Sequence, residues 1–264
     1  MKKNLLTFII ICSLCGSAFA QQTDTVTTSS GLKYFITHKG SGPAIIPGQL
    51  AICHYILTLT NGTKIDASRD RGAPFAVPVP STQVIKGFNE ALSLLHIGDR
   101  GIFILPYYLA YGEKGSGPIP PKSTLIFDIE MLDTKARSLQ MVLDSVLFEK
   151  PVTADSKPRM DEVLKAYKEQ KKAKFKDLYV SENDLNSIGY ELIKKFPDDA
   201  VELFKLNVKM YPKSYNAYDS LGEGYMTAGN NKLAIKNYKK SLKLNPKNTN
   251  ATDMIKKMET STGK

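Results

Sequence analysis

The chain has 264 residues, a length that predicts two domains rather than one. Its 42% content of hydrophobic residues excludes an intrinsically disordered protein. The formal net charge of +10 would suit a nucleic-acid partner, but the lysines of the C-terminal half are interleaved with acids, so we predict solvated helix faces and no nucleic-acid binding.

The N-terminus has the pattern of a cleaved signal peptide. Lys2-Lys3 precedes an apolar run, Leu5–Leu14. Ala18–Ala20 then supplies the small residues of a cleavage site before Gln21. The apolar run is shorter than the about 20 residues that a membrane-spanning helix needs. We therefore predict that the first 20 residues are a signal peptide, and that no transmembrane segment remains after its removal.

We expect export to the periplasm or cell envelope of a bacterium. Lipid anchoring at Cys15 is disfavoured, because the large Leu14 precedes it where a lipoprotein signal has a small residue. Residues 21–30 are polar and predict a flexible leader at the start of the mature chain.

Cysteine and histidine usage predicts neither a disulfide nor a metal site. Cys12 and Cys15 leave with the signal peptide, and Cys53 remains alone inside an apolar run, which is typical of a small core residue. The three histidines lie far apart, with no cysteine pairs nearby. We expect no metal and no cofactor.

Strand-like segments begin after Gly31. Leu50–Thr60 is rich in β-branched and aromatic residues, and Asn61-Gly62 follows as a strong hairpin signal. Thr63–Asp66 is the predicted returning strand. Ala73–Pro78 is interrupted by proline and predicts an edge strand or a loop.

One amphipathic helix is predicted among these strands, over Gln83–Leu95. Its apolar residues recur at spacings of three and four, with Ser81 or Thr82 as N-cap and Gly98 as the C-terminal stop. Two further strands are predicted after the helix, at Gly101–Pro106 and Thr124–Leu132. Residues 31–135 therefore predict an α+β domain, with an antiparallel sheet wrapped around one helix.

Four motifs occur here in order: HYILTLTNGTKIDASRDRGAPF, QVIKGFNEAL, LAYGEKG and IPPKSTLIFDIEML. Together they make the segment Gly31–Thr134 resemble the FKBP-type peptidyl-prolyl cis-trans isomerases, the rapamycin-binding immunophilins. The resemblance implies an FKBP-like fold and prolyl isomerase activity on proline-containing polypeptides. It also implies inhibition by macrolides of the rapamycin class.

The resemblance also assigns the residues of a proline-binding pocket. The catalytic residues that it implies are Tyr55, Asp66, Phe75, Val84, Ile85, Phe88, Tyr111 and Phe127. The substrate-binding residues are Ile65, Arg71 and Ile119. Many members have tryptophan at the position of Phe88 and phenylalanine at that of Ile65, so this pocket has less aromatic area. Gly115–Pro118 is shorter by one residue than in some relatives, which alters the flap over the pocket.

The chemistry suits these residue types. Rotation about an X-Pro bond crosses a barrier of about 20 kcal/mol that amide resonance sets. The twisted amide has lost that resonance and tolerates an apolar surrounding better than the planar amide does. We expect the Tyr111 hydroxyl and the Ile85 N–H to bind substrate carbonyls. Asp66, paired with Arg71 in the family pattern, serves electrostatic positioning because the reaction transfers no proton.

Simpler explanations exist for each residue alone. Tyrosine and phenylalanine at strand positions are typical of a hydrophobic core, and Asp66 would suit a turn. Gly112–Gly117 is glycine-rich but lacks the spacing and the following helix of a phosphate-binding loop. The common register of the four motifs favours the isomerase interpretation.

The composition changes after Thr134. Residues 136–155 predict a linker that contains a short helix, Leu139–Leu147, and residues 156–264 predict a lysine-rich helical domain. Two helices flank its centre, at Asp161–Lys174 and as a cap at Thr249–Met258.

A repeat occurs within the helical part. Ala200, Pro212, Ala217 and Leu221 recur 34 positions later as Ala234, Pro246, Ala251 and Ile255. The units Glu182–Lys213 and Tyr215–Asn248 thereby resemble tetratricopeptide (TPR) repeats, a resemblance that implies a binding surface for a client or partner protein. A carboxylate clamp formed by Asn186, Asn216 and Lys236 is disfavoured, because an exported protein would not meet the cytosolic chaperones.

The combined hypothesis is an exported prolyl isomerase that accelerates folding of envelope or secreted proteins, with TPR repeats that recruit clients. Two alternatives stay open at this point. The isomerase-like domain could be a catalytically weak holdase chaperone, or the protein could act mainly as an adaptor through its TPR contacts.

Overall fold

The computed structural model describes residues 24–147 and 158–261. The predicted signal peptide at 1–20 lies outside the described residues, as does part of the predicted linker. We call residues 24–138 the sheet region, and residues 139–147 and 158–261 the helical region.

The sheet region is an antiparallel sheet that packs on one short helix. Its elements are β1 (Val26–Thr27), β2 (Lys33–His38), β3 (Leu50–Leu59), β4 (Lys64–Ala67), β5 (Phe75–Pro78), α1 (Lys86–Ser93), β6 (Arg100–Leu105) and β7 (Leu125–Lys135). The strand order is β1-β2-β6-β7-β3-β4, and β5 pairs with β3. Alternate residues of β3 and β7 face the helix and form one buried core with Phe88, Ala91 and Leu92 of α1.

The Asn61-Gly62 hairpin is confirmed. Gly62 has a φ of +83°, and its N–H donates to the Leu59 carbonyl over 3.0 Å. Glycine adopts this left-handed conformation without the steric cost that a Cβ would bring, so the hairpin turn forms at Asn61-Gly62.

The predicted helix start is wrong by three residues. α1 begins at Lys86, because Ile85 is still extended at φ −63° and ψ 151°, and no side chain caps the helix. The side chain of Asn89 instead exchanges two hydrogen bonds with the backbone of Ser81. At the other end the helix stops at Ser93, and Gly98 lies in the following turn rather than at the helix C-terminus.

The predicted flexible leader is partly structured. Val26 and Thr27 pair with Tyr34 and Lys33 of β2. The hydroxyl of Ser30 donates to Glu90 over 2.6 Å. The β-branched residues suit a short edge strand, and the backbone pairing satisfies groups that would otherwise face the edge of the sheet.

The helical region contains seven helices among the described residues. They are α2 (Leu139–Leu147), α3 (Met160–Lys172), α4 (Glu182–Leu192), α5 (Pro197–Met210), α6 (Tyr215–Thr227), α7 (Asn231–Leu244) and α8 (Thr249–Ser261). A two-residue strand pair, β8 (Arg137–Ser138) and β9 (Leu178–Tyr179), runs parallel where the regions meet. The described part of the chain has no helix with the length and hydropathy to cross a membrane.

The linker prediction for 136–155 is corrected for α2. Leu139, Leu143 and Leu147 are fully buried in the same core as helices α3, α4 and α5. A helix with three buried leucines on one face is part of a folded unit rather than a connector.

Two equivalent close contacts recur in the helical region. A Cβ added at Gly189 would lie 2.4 Å from the ring of Phe204, and one at Gly222 would lie 3.0 Å from the ring of Tyr238. Phe204 and Tyr238 are 34 positions apart, so the sequence period reappears as a repeated helix-packing contact. The fold class predicted from the sequence, α+β followed by a helical region, is confirmed.

Candidate functional site

Four aromatic rings from four different elements meet on the side of the sheet that packs on α1. The ring of Tyr55 on β3 lies 5.6 Å from that of Phe75 on β5 and 5.6 Å from that of Phe88 on α1. It lies 5.9 Å from the ring of Phe127 on β7. Phe88 contacts Phe127 at 5.0 Å and Phe75 at 6.1 Å. These distances are typical of favourable edge-to-face and tilted aromatic pairs.

The rings differ in exposure. Phe88 and Phe127 are buried, at 3% and 5% exposure, whereas Tyr55 and Phe75 are half-buried. Phe88 and Phe127 therefore form a floor, and Tyr55 and Phe75 form walls that reach solvent. We call these four residues the aromatic cluster.

Apolar residues from β4 and from the loops pack against the core that contains the aromatic cluster. Ile65, Val84 and Ile85 pack partly buried against its core, and Ile119 is buried in it. Val84 lies in a bend and Ile85 is extended, both directly before α1, so the apolar residues that continue the helical pattern are not helical themselves. The backbone N–H of Ile85 has no acceptor among the described residues, so it is available to a ligand.

A polar triad lies at the rim of the aromatic cluster. The Tyr55 hydroxyl donates to Asp66, while the Arg71 guanidinium donates to Asp66 over 2.5 Å and to the Tyr55 oxygen over 2.7 Å. The side chains of Asp66 and Arg71 are 39% and 49% exposed, so the ion pair is screened by solvent and contributes mainly orientation.

The triad fixes the protonation states of its members. Burial, and then the hydrogen bond to Asp66, raise the pKa of Tyr55 to about 12, so its hydroxyl keeps its proton at neutral pH. Burial alone would raise the pKa of Asp66, but the hydrogen bonds from Tyr55 and Arg71 outweigh burial and lower it. Asp66 is therefore an anion that holds Tyr55 and Arg71 in place.

Tyr111 is not part of the aromatic cluster. It is 41% exposed, and no ring contact joins it to the cluster among the described residues. It follows a short 3-10 turn, Tyr107–Leu109, in the loop that leads to Ile119. Its predicted role as a donor to substrate stays a prediction.

Sequence reasoning missed Ser68, a buried residue whose hydroxyl stabilises the position of Tyr55. Its hydroxyl oxygen accepts from the Tyr55 backbone N–H over 3.0 Å and lies 2.9 Å from His54 Nδ1. The residue is fully buried. A serine directly after a strand gives no signal of this contact in the sequence, because the partners are 13 and 14 positions away.

Cys53 lies on β3 opposite Phe75 and is fully buried. Burial raises the pKa of its thiol to about 12. Among the described residues, no group of histidine, cysteine, aspartate or glutamate could hold a metal ion.

Two of the predicted carboxylate-clamp residues are described by their own contacts and exposure. The Asn216 amide donates to Glu182 over 2.9 Å, and Lys236 is exposed on α7. An amide engaged by a glutamate next to it does not favour an anionic ligand.

Comparison with known proteins identifies relatives of the sheet region. Residues 42–132 match the family model described as FKBP-type peptidyl-prolyl cis-trans isomerase. The chain is 41% identical over 116 residues to FKBP-type peptidyl-prolyl cis-trans isomerase FkpA of Aeromonas hydrophila, an alignment that covers 44% of this chain and 42% of that one. It is 44% identical over 121 residues to a probable FKBP-type isomerase of Haemophilus influenzae, covering 46% and 49%.

A shorter relative is covered almost completely. FK506-binding protein 1 of Candida glabrata is 41% identical over 108 residues, which are 40% of this chain and 95% of that protein. By contrast, the chain spans less than half the length of the two bacterial relatives. The helical region lies beyond the residues that the family model matches.

Proposed function

The chain belongs to the FKBP-type peptidyl-prolyl cis-trans isomerases, and on this basis we propose that it accelerates rotation about X-Pro bonds in exported proteins that are folding. The sheet region performs the catalysis in this proposal. The helical region contributes TPR-like helix pairs that hold clients or a partner protein.

The observation that carries the proposal is the aromatic cluster. Four rings converge from β3, β5, α1 and β7, with a buried floor and half-buried walls, which is the form of surface that accepts a prolyl ring and removes water from its amide.

The mechanism follows from the position of each group. The aromatic cluster holds the proline ring, and the Ile85 N–H binds a substrate carbonyl. The twisted amide, which has lost resonance, is less polar than the planar amide and is bound preferentially in this apolar surrounding. Each factor of ten in rate needs only about 1.4 kcal/mol of such preference. The polar triad keeps the Tyr55 wall in one orientation and transfers no proton.

The test is a protease-coupled isomerisation assay on a short X-Pro peptide with two matched variants. Phe75→Leu removes a wall of the aromatic cluster, and we expect it to lower kcat/KM about tenfold or more. Tyr34→Leu removes a ring of similar size from the same core, where Tyr34 stacks on Phe103 at 5.6 Å, and should leave kcat/KM close to that of the wild type. No acceleration by the wild-type protein, or equal losses in both variants, would contradict the proposal.

Tyr111→Phe tests the predicted donor. Removal of the hydroxyl should lower kcat/KM by about fivefold, the value of one hydrogen bond of about 1 kcal/mol. An unchanged rate would remove Tyr111 from the mechanism while leaving the aromatic cluster in it.

Export is supported by the charged start, the apolar run and the Ala18–Ala20 cleavage pattern of the sequence. We expect protein that is expressed from its full sequence in a bacterium to appear outside the cytoplasm with Gln21 as its first residue. N-terminal sequencing of the recovered protein checks this, and an intact Met1 would contradict it.

The repeated contacts at Gly189 and Gly222 support TPR-like packing of the helical region, and client binding is the role that this resemblance implies. The test is suppression of aggregation of an unfolded client, with and without a rapamycin-class macrolide that fills the pocket. Suppression that persists while isomerisation is blocked would assign client capture to the helical region. Suppression that is lost together with turnover would assign it to the aromatic cluster and contradict this part of the proposal.

A further inference from the structure

One side chain of the helical region contacts the backbone that carries a wall of the pocket. Tyr179 lies on β9, which pairs with β8 directly after the last strand of the large sheet. Its hydroxyl donates to the carbonyl oxygen of Pro74 over 3.2 Å, across 105 positions of sequence. The side chain is half-buried, and burial raises the pKa of its hydroxyl, which therefore stays a donor.

Pro74 immediately precedes Phe75, the wall of the aromatic cluster on β5. β5 pairs with β3 alone among the described strands, through a register that places Phe75 opposite Cys53. The start of β5 is therefore held by the sheet on one side only. The hydrogen bond from Tyr179 supplies a contact from the other side.

The turn that precedes Tyr179 has an unfavourable backbone conformation. Lys174, Phe175 and Asp177 have φ values of +54°, +52° and +62°, a region that residues with a Cβ rarely adopt. The Phe175 N–H donates to the Gln170 carbonyl over 2.8 Å, and the ring of Phe175 lies 6.1 Å from that of Tyr167. Strain of this kind persists where surrounding contacts fix the chain in one position.

The other end of β9 is fixed as well. Ser181 and Asp184 form a capping box at the start of α4. Asp184 is buried and accepts a hydrogen bond from the Ser181 backbone N–H, and Leu185 and Ile188 of the same helix lie in the helical core. Tyr179 is thus held between a strained turn and a capped helix, both anchored in the helical core.

We propose that Tyr179 is a positioning residue through which the helical region sets the place of Phe75 in the pocket. The proposal rests on the proposed isomerase function for its catalytic consequence. Its structural consequence, the ordering of the Pro74–Phe75 segment, does not depend on activity.

The test compares Tyr179→Phe with Tyr167→Phe in the full chain. Tyr179→Phe keeps the ring and removes only the hydroxyl that reaches Pro74. Tyr167→Phe removes a hydroxyl that has no hydrogen-bond partner among the described residues, in the core of the helical region. Both variants therefore alter a half-buried or buried tyrosine by one oxygen, and only the first alters a contact between the regions.

Two readouts separate positioning from general stability. Hydrogen exchange of the β5 amides should become faster in Tyr179→Phe and stay unchanged in Tyr167→Phe. In the isomerisation assay, Tyr179→Phe should lower kcat/KM about fivefold, chiefly through a higher KM, because Phe75 binds the prolyl ring and does no chemistry. Urea unfolding should give Tyr179→Phe a stability close to that of the wild type, and should show no loss of stability in Tyr167→Phe, which removes a desolvated hydroxyl.

The outcomes are distinguishable. Unchanged β5 exchange in Tyr179→Phe overturns the proposal, whatever the rate. Faster exchange with an unchanged KM overturns its catalytic part. If the wild-type protein itself has no isomerase activity, the proposed function fails, and the exchange measurement alone decides whether Tyr179 orders the pocket wall.

Discussion

In the sheet region the buried hydroxyl of Ser68 has hydrogen-bond contacts with Tyr55 and His54, whereas in the helical region the buried side chain of Asn207 has none. This contrast extends across the described residues. The buried side-chain atoms without a hydrogen-bond partner are Asp144 Oδ1, Tyr167 Oη, Asn186 Oδ1, Asn207 Oδ1 and Nδ2, and Tyr238 Oη. All of them belong to the helical region.

The difference shows which interactions stabilise each region. The sheet region uses polar groups to orient a site, and each of its buried polar side chains has a partner. The helical region depends on apolar packing between repeated helices and tolerates desolvated polar atoms, each of which costs stability. Removing the unpartnered buried polar groups of the helical region should therefore raise stability, whereas removing the partnered ones of the sheet region should lower it.

The largest expected effects come from two buried phenylalanines and separate stability from function. Phe88→Ala and Phe204→Ala each empty a core position, because both rings are at most 3% exposed. Each should lower the free energy of unfolding of its own region by about 3–5 kcal/mol. Hydrogen exchange, measured separately on sheet and helical peptides, checks the size and place of each loss.

Only Phe88→Ala should also lower kcat/KM under conditions where the protein remains folded, because Phe204 lies in the helical core. A comparable loss of turnover in Phe204→Ala would show that the regions are not functionally distinct in this way.

The next effect tests the contrast in buried polar groups directly. Ser68→Ala leaves the Tyr55 N–H and the His54 ring without their partner, and should lower stability by about 1–3 kcal/mol. Asn207→Leu keeps the shape of the side chain and removes two desolvated atoms, and should raise stability by about 1–2 kcal/mol. Urea unfolding measures both. Losses in both variants would break the comparison.

A smaller effect concerns Asp144 on α2. Burial, and then the nearby Glu191 carboxylate, raise its pKa to about 6, although a hydrogen bond from Gln140 opposes them. The folded helical region thus binds a proton more tightly than the unfolded chain does, so its stability should decrease as the pH rises from about 4 to about 6. Asp144→Asn should weaken this slope and leave the part that the raised pKa of buried Asp184 contributes. It should raise stability at pH 7 by about 1 kcal/mol, after allowance for partial solvent exposure. Thermal unfolding between pH 4 and pH 7 is the measurement.

The smallest effect is the opposite pH response of the sheet region. The pKa of Asp66 is lowered in the folded state, so its stabilisation is complete above about pH 4 and is lost as the pH falls through the folded pKa. Arg71→Ala should weaken this acid response, because the Arg71 guanidinium is one of the groups that stabilise the anion, together with the Tyr55 hydroxyl and the Ala67 backbone. Hydrogen exchange of β3 and β4 amides below pH 4 checks it. An identical acid response in the variant would assign the effect to other carboxylates.

Local patterns in the sequence predict much of this architecture. The hairpin at Asn61-Gly62 and the 34-residue period were visible because a turn needs particular residues and a repeat needs equivalent ones. The start of α1 was not, because Val84 and Ile85 pack against the core without being helical, and apolar spacing cannot distinguish that packing from a helical face.

Contacts between distant segments could not be predicted. The hydrogen bond from Tyr179 to Pro74 joins residues 105 positions apart, and the burial of α2 depends on helices that follow it by tens of residues. The pocket residues were assigned from motifs, and the structure brings Tyr55, Phe75, Phe88 and Phe127 together while it leaves Tyr111 exposed.

The modification rate of the Cys53 thiol, which lies opposite Phe75, can be used to measure how often the pocket opens. A buried Cys53 with a pKa of about 12 is almost entirely uncharged at neutral pH and inaccessible to alkylating reagents. In protein that starts at Gln21 it is the sole cysteine of the sequence. The rate at which a maleimide modifies it therefore reports how often β5 detaches from β3, and a bound macrolide should slow that reaction.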